Sequence, residues 1–342
     1  MSFDNIGVVG GGAWGTALAQ TLTSSGRNVV IWTHETATAR EINTLHTNHV
    51  FLDGVTLDAR LRATDDLADL ADRELILLVP PAQHLRDIAA RLAPHAARGT
   101  PFVICAKGIE QATGKLLAEV LAEAAPGATA GIVSGPSFAA EVARGLPAAL
   151  TVACADERLG ERVAQALGSR QLRVYWTNDL IGVQLGGAVK NVLAIAAGIV
   201  DGRKLGASAH AALVTRGFAE MRRFAVALGA RPETLAGLSG LGDLLLTCGS
   251  PQSRNMSLGR ALGETMAVLM IIGPGLTYSA AILQPNQHNT IAAYIALQFP
   301  EANSLGVNSL IAMGLALFVI TLLVNMLARW IVSRRSEFSG AN

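Results

Sequence analysis

The sequence predicts a doubly wound α/β sheet, an all-helical domain after it, and a C-terminal membrane-spanning helical hairpin. Three observations carry this. Short apolar runs alternate with helix-like stretches over roughly the first half of the chain. From Asp179 the apolar residues take helical spacing, as in 193–200, 209–218 and 220–228. Between positions 261 and 328 there is not one Lys or Arg, although basic residues are spread through the chain before it. The expected limits are 1–178 for the sheet domain, 179–263 for a truncated helical domain and 264–342 for the membrane segment.

The first strand is Ile6-Gly7-Val8-Val9, an apolar run suited to a buried parallel strand. It runs into Gly10-Gly11-Gly12-Ala13-Trp14-Gly15 and then the helix-like 16–22. This is G-x-G-x-x-G between a strand and a helix, the setting in which it binds a dinucleotide. Gly10 permits the tight turn, Gly12 lets the backbone approach a pyrophosphate, and Gly15 lets the helix pack close on the strand. The helix N-terminus then faces the phosphates, so a Rossmann-type domain is expected. A second strand, Val29-Val30-Ile31-Trp32, ends at Thr33-His34-Glu35. Glu35 suits the 2′-hydroxyl of NADH and His34 suits the 2′-phosphate of NADPH, so both cofactors stand, with a lean toward NADPH. Further strands are expected at 75–79 and 101–106 with a helix over 85–92 between them.

The formal charge of +1 gives no general attraction for nucleic acid. The hydrophobic fraction of 51% is high for a cytoplasmic enzyme, and the last eighty or so residues supply most of the excess. Cys105, Cys154 and Cys248 are odd in number and lack C-x-x-C spacing, which speaks against a disulfide framework or zinc site. His46 and His49 have no carboxylate or cysteine completing a ligand set, so no metal is expected. The first residues carry no basic segment before an apolar core, and the first domain is expected in the cytoplasm.

Lys107 directly follows the strand expected at 101–106, where ligands of open α/β sheets bind. Lys190 stands in Gly186-Gly187-Ala188-Val189-Lys190-Asn191, a charge within a helix of small and apolar residues. Burial and a second cation nearby would hold such a lysine close to neutral, fit to exchange a proton. Gly240-Leu241-Gly242-Asp243-Leu244 places a carboxylate among apolar residues, where it can orient a lysine. Ser253-Arg254-Asn255 groups a guanidinium, a hydroxyl and an amide suited to phosphate. Ser134-Gly135-Pro136-Ser137-Phe138-Ala139 is another strand-end loop with donors.

These blocks, in this order, resemble the bacterial NAD(P)-dependent glycerol-3-phosphate dehydrogenases from about Ile6 to Gly263. The resemblance implies interconversion of dihydroxyacetone phosphate and sn-glycerol 3-phosphate with NADPH or NADH, for phospholipid precursor synthesis. It implies that Lys190 is the proton acceptor, with Lys107 and Asp243 supporting the reacting carbinol. It implies substrate contacts at Lys107, Gly135, Ser137, Lys190, Asp243, Ser253, Arg254 and Asn255. Cofactor contacts are implied at Ala13, Trp14, His34, Lys107, Ala139 and Arg254, beside the glycines Gly10, Gly12 and Gly15. A homodimer is the candidate assembly.

After residue 264 the expectation changes. Positions 306–328 form an uncharged run long enough to cross a bilayer, and Arg329, Arg334 and Arg335 after it place the C-terminus in the cytoplasm. A weaker apolar stretch, 266–283, is interrupted by Gly273-Pro274-Gly275. The tail from about 259 to 335 resembles the end of the permease subunit of phosphate ABC transporters. A permease fragment or fusion, or a chimeric join at 259–263, therefore stands as the alternative to an enzyme tethered to the inner membrane.

Overall fold

The computed structural model describes residues 3–272, with side chains described as far as Glu264. The alternating pattern resolves into an eight-stranded sheet of order β3-β2-β1-β4-β5-β6-β7-β8. Its strands are β1 (Asn5–Val9), β2 (Asn28–Trp32), β3 (Arg62–Thr64), β4 (Leu75–Leu78), β5 (Pro101–Ile104), β6 (Thr129–Ser134), β7 (Ala148–Cys154) and β8 (Leu172–Thr177). Every neighbouring pair is parallel except β6 with β7. Strand order reverses at β1 and β4, and β1 leads into the glycine-rich turn at this switch point.

Buried strands read as continuous apolar runs because both faces are covered. Successive residues point to opposite faces. Ile6 and Val8 thus join Leu75, Leu77 and Val103 in one core, while Val9 joins Ile76, Leu78, Phe102 and Ile104 in the other. On the first face lie α1 (Ala13–Ser24), α5 (Ala139–Ala143) and α6 (Glu157–Leu167); on the second lie α3 (Leu85–Leu92) and α4 (Leu117–Ala124). The short α2 (Thr36–Leu45) follows β2.

Beyond β8 the chain is helical: α7 (Leu180–Gly202), α8 (Ala207–Ala227), α9 (Pro232–Ala236), a π turn at Leu238–Gly242, α10 (Asp243–Gly249) and α11 (Arg254–Ile272). The stretches 209–218 and 220–228, expected as separate helical runs, lie almost wholly in the one helix α8. The expected span 306–328 and all of 266–283 after Ile272 lie outside the described residues. Among the described residues one helix, α7, is long and apolar enough to cross a membrane, and half of its apolar window is buried within the protein.

The packing of α7 follows from small residues four apart on one face. A Cβ on Gly186 would stand 2.4 Å from the Ser239 carbonyl oxygen of the π turn, and one on Gly198 would stand 2.0 Å from that of Met256 in α11. In return, a Cβ on Gly259 would stand 2.0 Å from the Ile195 carbonyl oxygen. Position 190 is on the same stripe, so this face carries its one lysine into the helix–helix contact. Gly186→Ala should therefore destabilise the protein by roughly 1–3 kcal/mol despite alanine's better helix propensity. A fall in the urea midpoint at constant m-value checks this; an unchanged or higher midpoint would show that the contact relaxes freely.

Candidate active site

The glycine-rich turn has the geometry its spacing requires. Gly10 has φ +125°, and a Cβ there would meet the Val79 carbonyl at 3.0 Å. A Cβ on Gly15 would lie 1.9 Å from the Gly10 carbonyl oxygen, so only glycine admits this approach of α1 to β1. At Gly12 the outcome is the reverse: apart from Gly12 and its chain neighbours, none of the described residues comes within 4 Å of where a Cβ would sit. Gly12 is also the N-cap of α1, and no side chain caps it. Open space before an uncapped helix N-terminus fits a pyrophosphate, so these residues fit a dinucleotide. Trp14 packs partly buried on the adjoining core, and the exposed His34 stands tilted to Trp32 with ring centroids 6.1 Å apart.

Three elements converge on a buried ion cluster. Lys107 leaves the end of β5, Lys190 comes from the middle of α7, and Asp243 opens α10 directly after the π turn. Asp243 Oδ2 accepts from Lys107 Nζ at 2.6 Å, and Oδ1 accepts from Lys190 Nζ at 2.5 Å. Lys190 Nζ also donates to Thr247 Oγ1 at 2.8 Å, and that hydroxyl donates to the Asp243 carbonyl at 2.6 Å. Side-chain exposure is 1% for Asp243, 10% for Lys190 and 23% for Lys107. The cluster opens to solvent on the Lys107 side. Burial, with the Lys107 charge second, lowers the Lys190 ammonium to about 8, against the opposing pull of Asp243. Two cations and one anion leave a net positive charge, an arrangement that favours an oxyanion.

The neighbours fix this geometry. A Cβ on Gly187 would lie 2.8 Å from Ser134 Oγ and 3.4 Å from Lys107 Cγ, so the bare glycine makes room for the lysine stem. The loop after Lys107 is clamped by Arg86, whose Nε and Nη2 donate to the two oxygens of Glu110 at 2.8 and 2.9 Å. Arg86 and then Thr113 hold the Glu110 carboxyl down at about 2. Thr247, Gly187, Arg86 and Glu110 were not singled out in the sequence as holding the cluster. Thr247 stands four residues after Asp243, a helical spacing that would have flagged it.

Gly135 has φ +151°, its carbonyl accepts from Lys107 Nζ at 3.4 Å, and Ser137 Oγ donates to the same carbonyl at 3.4 Å. The strand-end loop thereby reaches the cluster, and Ala139 opens α5 just after it. Asn255 Nδ2 donates at 2.9 Å to Asn191 Oδ1, the residue after Lys190, so the start of α11 borders the cluster too. Ser253 is buried, with its Oγ accepting from the Met256 N–H, whereas Arg254 is exposed and pairs with no group among the described residues. His49 pairs instead with Glu41, through Nδ1 and Oε2 at 2.7 Å. The three thiols are buried, and burial pushes Cys105 up to about 12 and Cys248 to about 11, as expected of small core residues.

The model of the NAD-dependent glycerol-3-phosphate dehydrogenase N-terminus matches residues 5–160, and that of the same family's C-terminus matches 179–300. Glycerol-3-phosphate dehydrogenase [NAD(P)+] of Parvibaculum lavamentivorans is 54% identical over 304 residues, covering 89% of this chain and 91% of the relative. The chain belongs to the NAD-dependent glycerol-3-phosphate dehydrogenase family. The Caulobacter vibrioides protein of the same name is 52% identical over 300 residues, covering 88% of this chain and 91% of that one. Among solved structures, the Coxiella burnetii glycerol-3-phosphate dehydrogenase matches with a TM-score of 0.73 at 40% identity, covering 76% of this chain and 80% of that one. The family match read from motifs ended at Gly263; the C-terminal family model carries it to residue 300. The family match thus extends into the segment read as permease-like, and the enzyme is favoured over a permease fragment.

The Arg86–Glu110 pair has a pH signature. Because the folded carboxyl is held below its unfolded value of about 4.3, its contribution is present above that pH and is lost as pH falls toward about 2. Glu110→Gln should flatten this part of the acid unfolding curve relative to the parent. Curves of equal slope between about pH 4.3 and pH 2 would show that the clamp carries no linkage.

Proposed function

We propose that this protein interconverts dihydroxyacetone phosphate and sn-glycerol 3-phosphate with NADH or NADPH, and that Lys190 exchanges the proton. The observation that carries the reading is the buried Lys107–Asp243–Lys190 cluster at the carboxyl end of the sheet, in a chain of this family. When bound, reduced nicotinamide would supply the hydride that the carbonyl carbon accepts. Lys190, protonated, donates to the oxygen that becomes alkoxide, and in the reverse direction accepts the carbinol proton. Asp243 holds both ammoniums in place, and Lys107 adds charge where the oxyanion develops. A lysine lowered to about 8 is matched to proton exchange near neutral pH.

In this reading Arg254 binds the substrate phosphate with its planar fork, aided by Ser253 and Asn255, and binding of that unreactive group orients the carbonyl. Gly135 and Ser137 line the opposite side. Cofactor contacts are assigned to Ala13, Trp14, His34, Lys107, Ala139 and Arg254, with Gly10, Gly12 and Gly15 shaping the turn. The division of labour is a dinucleotide domain over 1–178 and a substrate domain from 179. A tether belongs to the same proposal: the uncharged run 306–328 with the arginines after it supports anchoring of residues 264–342 in the inner membrane. Association into a homodimer is proposed with it.

Reduction should lose kcat/KM as pH rises past about 8, where Lys190 gives up its proton, whereas oxidation should gain through the same range. Lys190→Ala should lower kcat by about a thousandfold with the NADH Kd within twofold of the parent. Turnover within tenfold of the parent would remove Lys190 from the reaction. Arg254→Ala should raise the KM for dihydroxyacetone phosphate by about tenfold to a hundredfold. At saturating cofactor, activity toward phosphate-free dihydroxyacetone should not change; equal losses on both substrates under that condition would contradict the phosphate role.

A further inference from the structure

The carbonyl of Gly11 is the least expected acceptor near the glycine-rich turn. It takes a hydrogen bond from Thr16 Oγ1 at 3.2 Å and a second from Asn48 Nδ2 at 2.8 Å. The same Nδ2 donates to Thr16 Oγ1 at 2.8 Å, closing a small buried triangle. Asn48 is 1% exposed and Thr16 is fully buried. Asn48 stands far from the turn in sequence, on the segment that leaves α2 through the left-handed His46, φ +53°. That segment is stapled along α1: Gln20 Oε1 accepts from the Asp58 N–H at 2.7 Å, and Arg60 Nη2 donates to the Thr23 carbonyl at 3.1 Å.

A trans peptide is planar, so the carbonyl of one residue and the N–H of the next point in opposite directions. Anchoring the Gly11 carbonyl inward therefore turns the Gly12 N–H away from the buried triangle, at the residue whose Cβ position is open. That N–H has no acceptor among the described residues. With glycine on both sides of the bond, neither residue has a side chain that biases the peptide, so its orientation depends on what its own groups bond to. We infer that Asn48, with Thr16, is a positioning residue that fixes the Gly11–Gly12 peptide so that its N–H is presented to the cofactor's pyrophosphate. The inference rests on the dinucleotide reading of the turn.

Isothermal titration of the full-length protein with NADH tests it. Asn48→Ala should weaken the NADH Kd by about tenfold, the loss expected when a buried hydrogen bond stops holding a donor toward a charged partner. At saturating NADH its kcat, and its KM for dihydroxyacetone phosphate, should stay within twofold of the parent. Thr16→Val should shift the Kd in the same direction, and Thr16→Ser, which keeps the hydroxyl, should restore it. An NADH Kd within twofold of the parent in Asn48→Ala overturns the inference, as does a fall in kcat with unchanged Kd. Should Asn48→Ala not fold, Thr16→Val decides alone, and an unchanged Kd there overturns the inference equally. A parent protein that takes up no NADH would instead sink the dinucleotide reading, and this inference with it.

Discussion

A single buried carboxylate, that of Asp243, stands between two lysine ammoniums, and the arrangement of β5, α7 and α10 is constrained by the need to satisfy it. An unpaired carboxylate in so closed a place would be strongly unfavourable, and so would either lysine without its partner. Asp243 therefore ties the loop after β5 to the middle of α7. The tie leaves the cluster one positive charge in excess, the charge an oxyanion would neutralise. Removal of Asp243 would take away both the tie and the orientation of the two cations.

Close backbone approach is what brings these groups within reach. Lys190 is buried because the glycines a turn or two on either side of it let the π turn and α11 come against α7. Lys107 reaches across because Gly187 leaves its stem unobstructed. Low exposure in turn keeps Lys190 near 8 instead of at the ordinary lysine value, so the packing of small residues and the acidity of the site have one cause.

Much of this was legible in sequence because it depends on local spacing. The strand before Gly10 and the helix after Gly15 specify the turn, and the charge at 190 among glycines and alanines marks a buried lysine. The strands at 62–64, 148–154 and 172–177 were not read. β3 is three residues long, and β8 alternates exposure along an amphipathic edge, so neither gives the continuous apolar run that marks a buried strand. The antiparallel β6–β7 pair was hidden for a different reason: register between strands has no local signal. Asn48 and Thr247 were missed because their importance comes from partners across space, although Thr247 carries a helical spacing to Asp243. The stretch from 261 without Lys or Arg suggested a boundary at 263, but composition does not reveal kinship, and the family match continues to residue 300.

Lys190 is a buried lysine whose acidity is set by its surroundings and by Lys107. NMR titration of the lysine Nζ resonances in the full-length protein, with Lys190 assigned by its loss in Lys190→Met, measures this directly. Lys190 should titrate near about 8 and move toward the ordinary lysine range in Lys107→Met. Titration at the ordinary value in the parent, or no movement on removal of Lys107, would contradict the account.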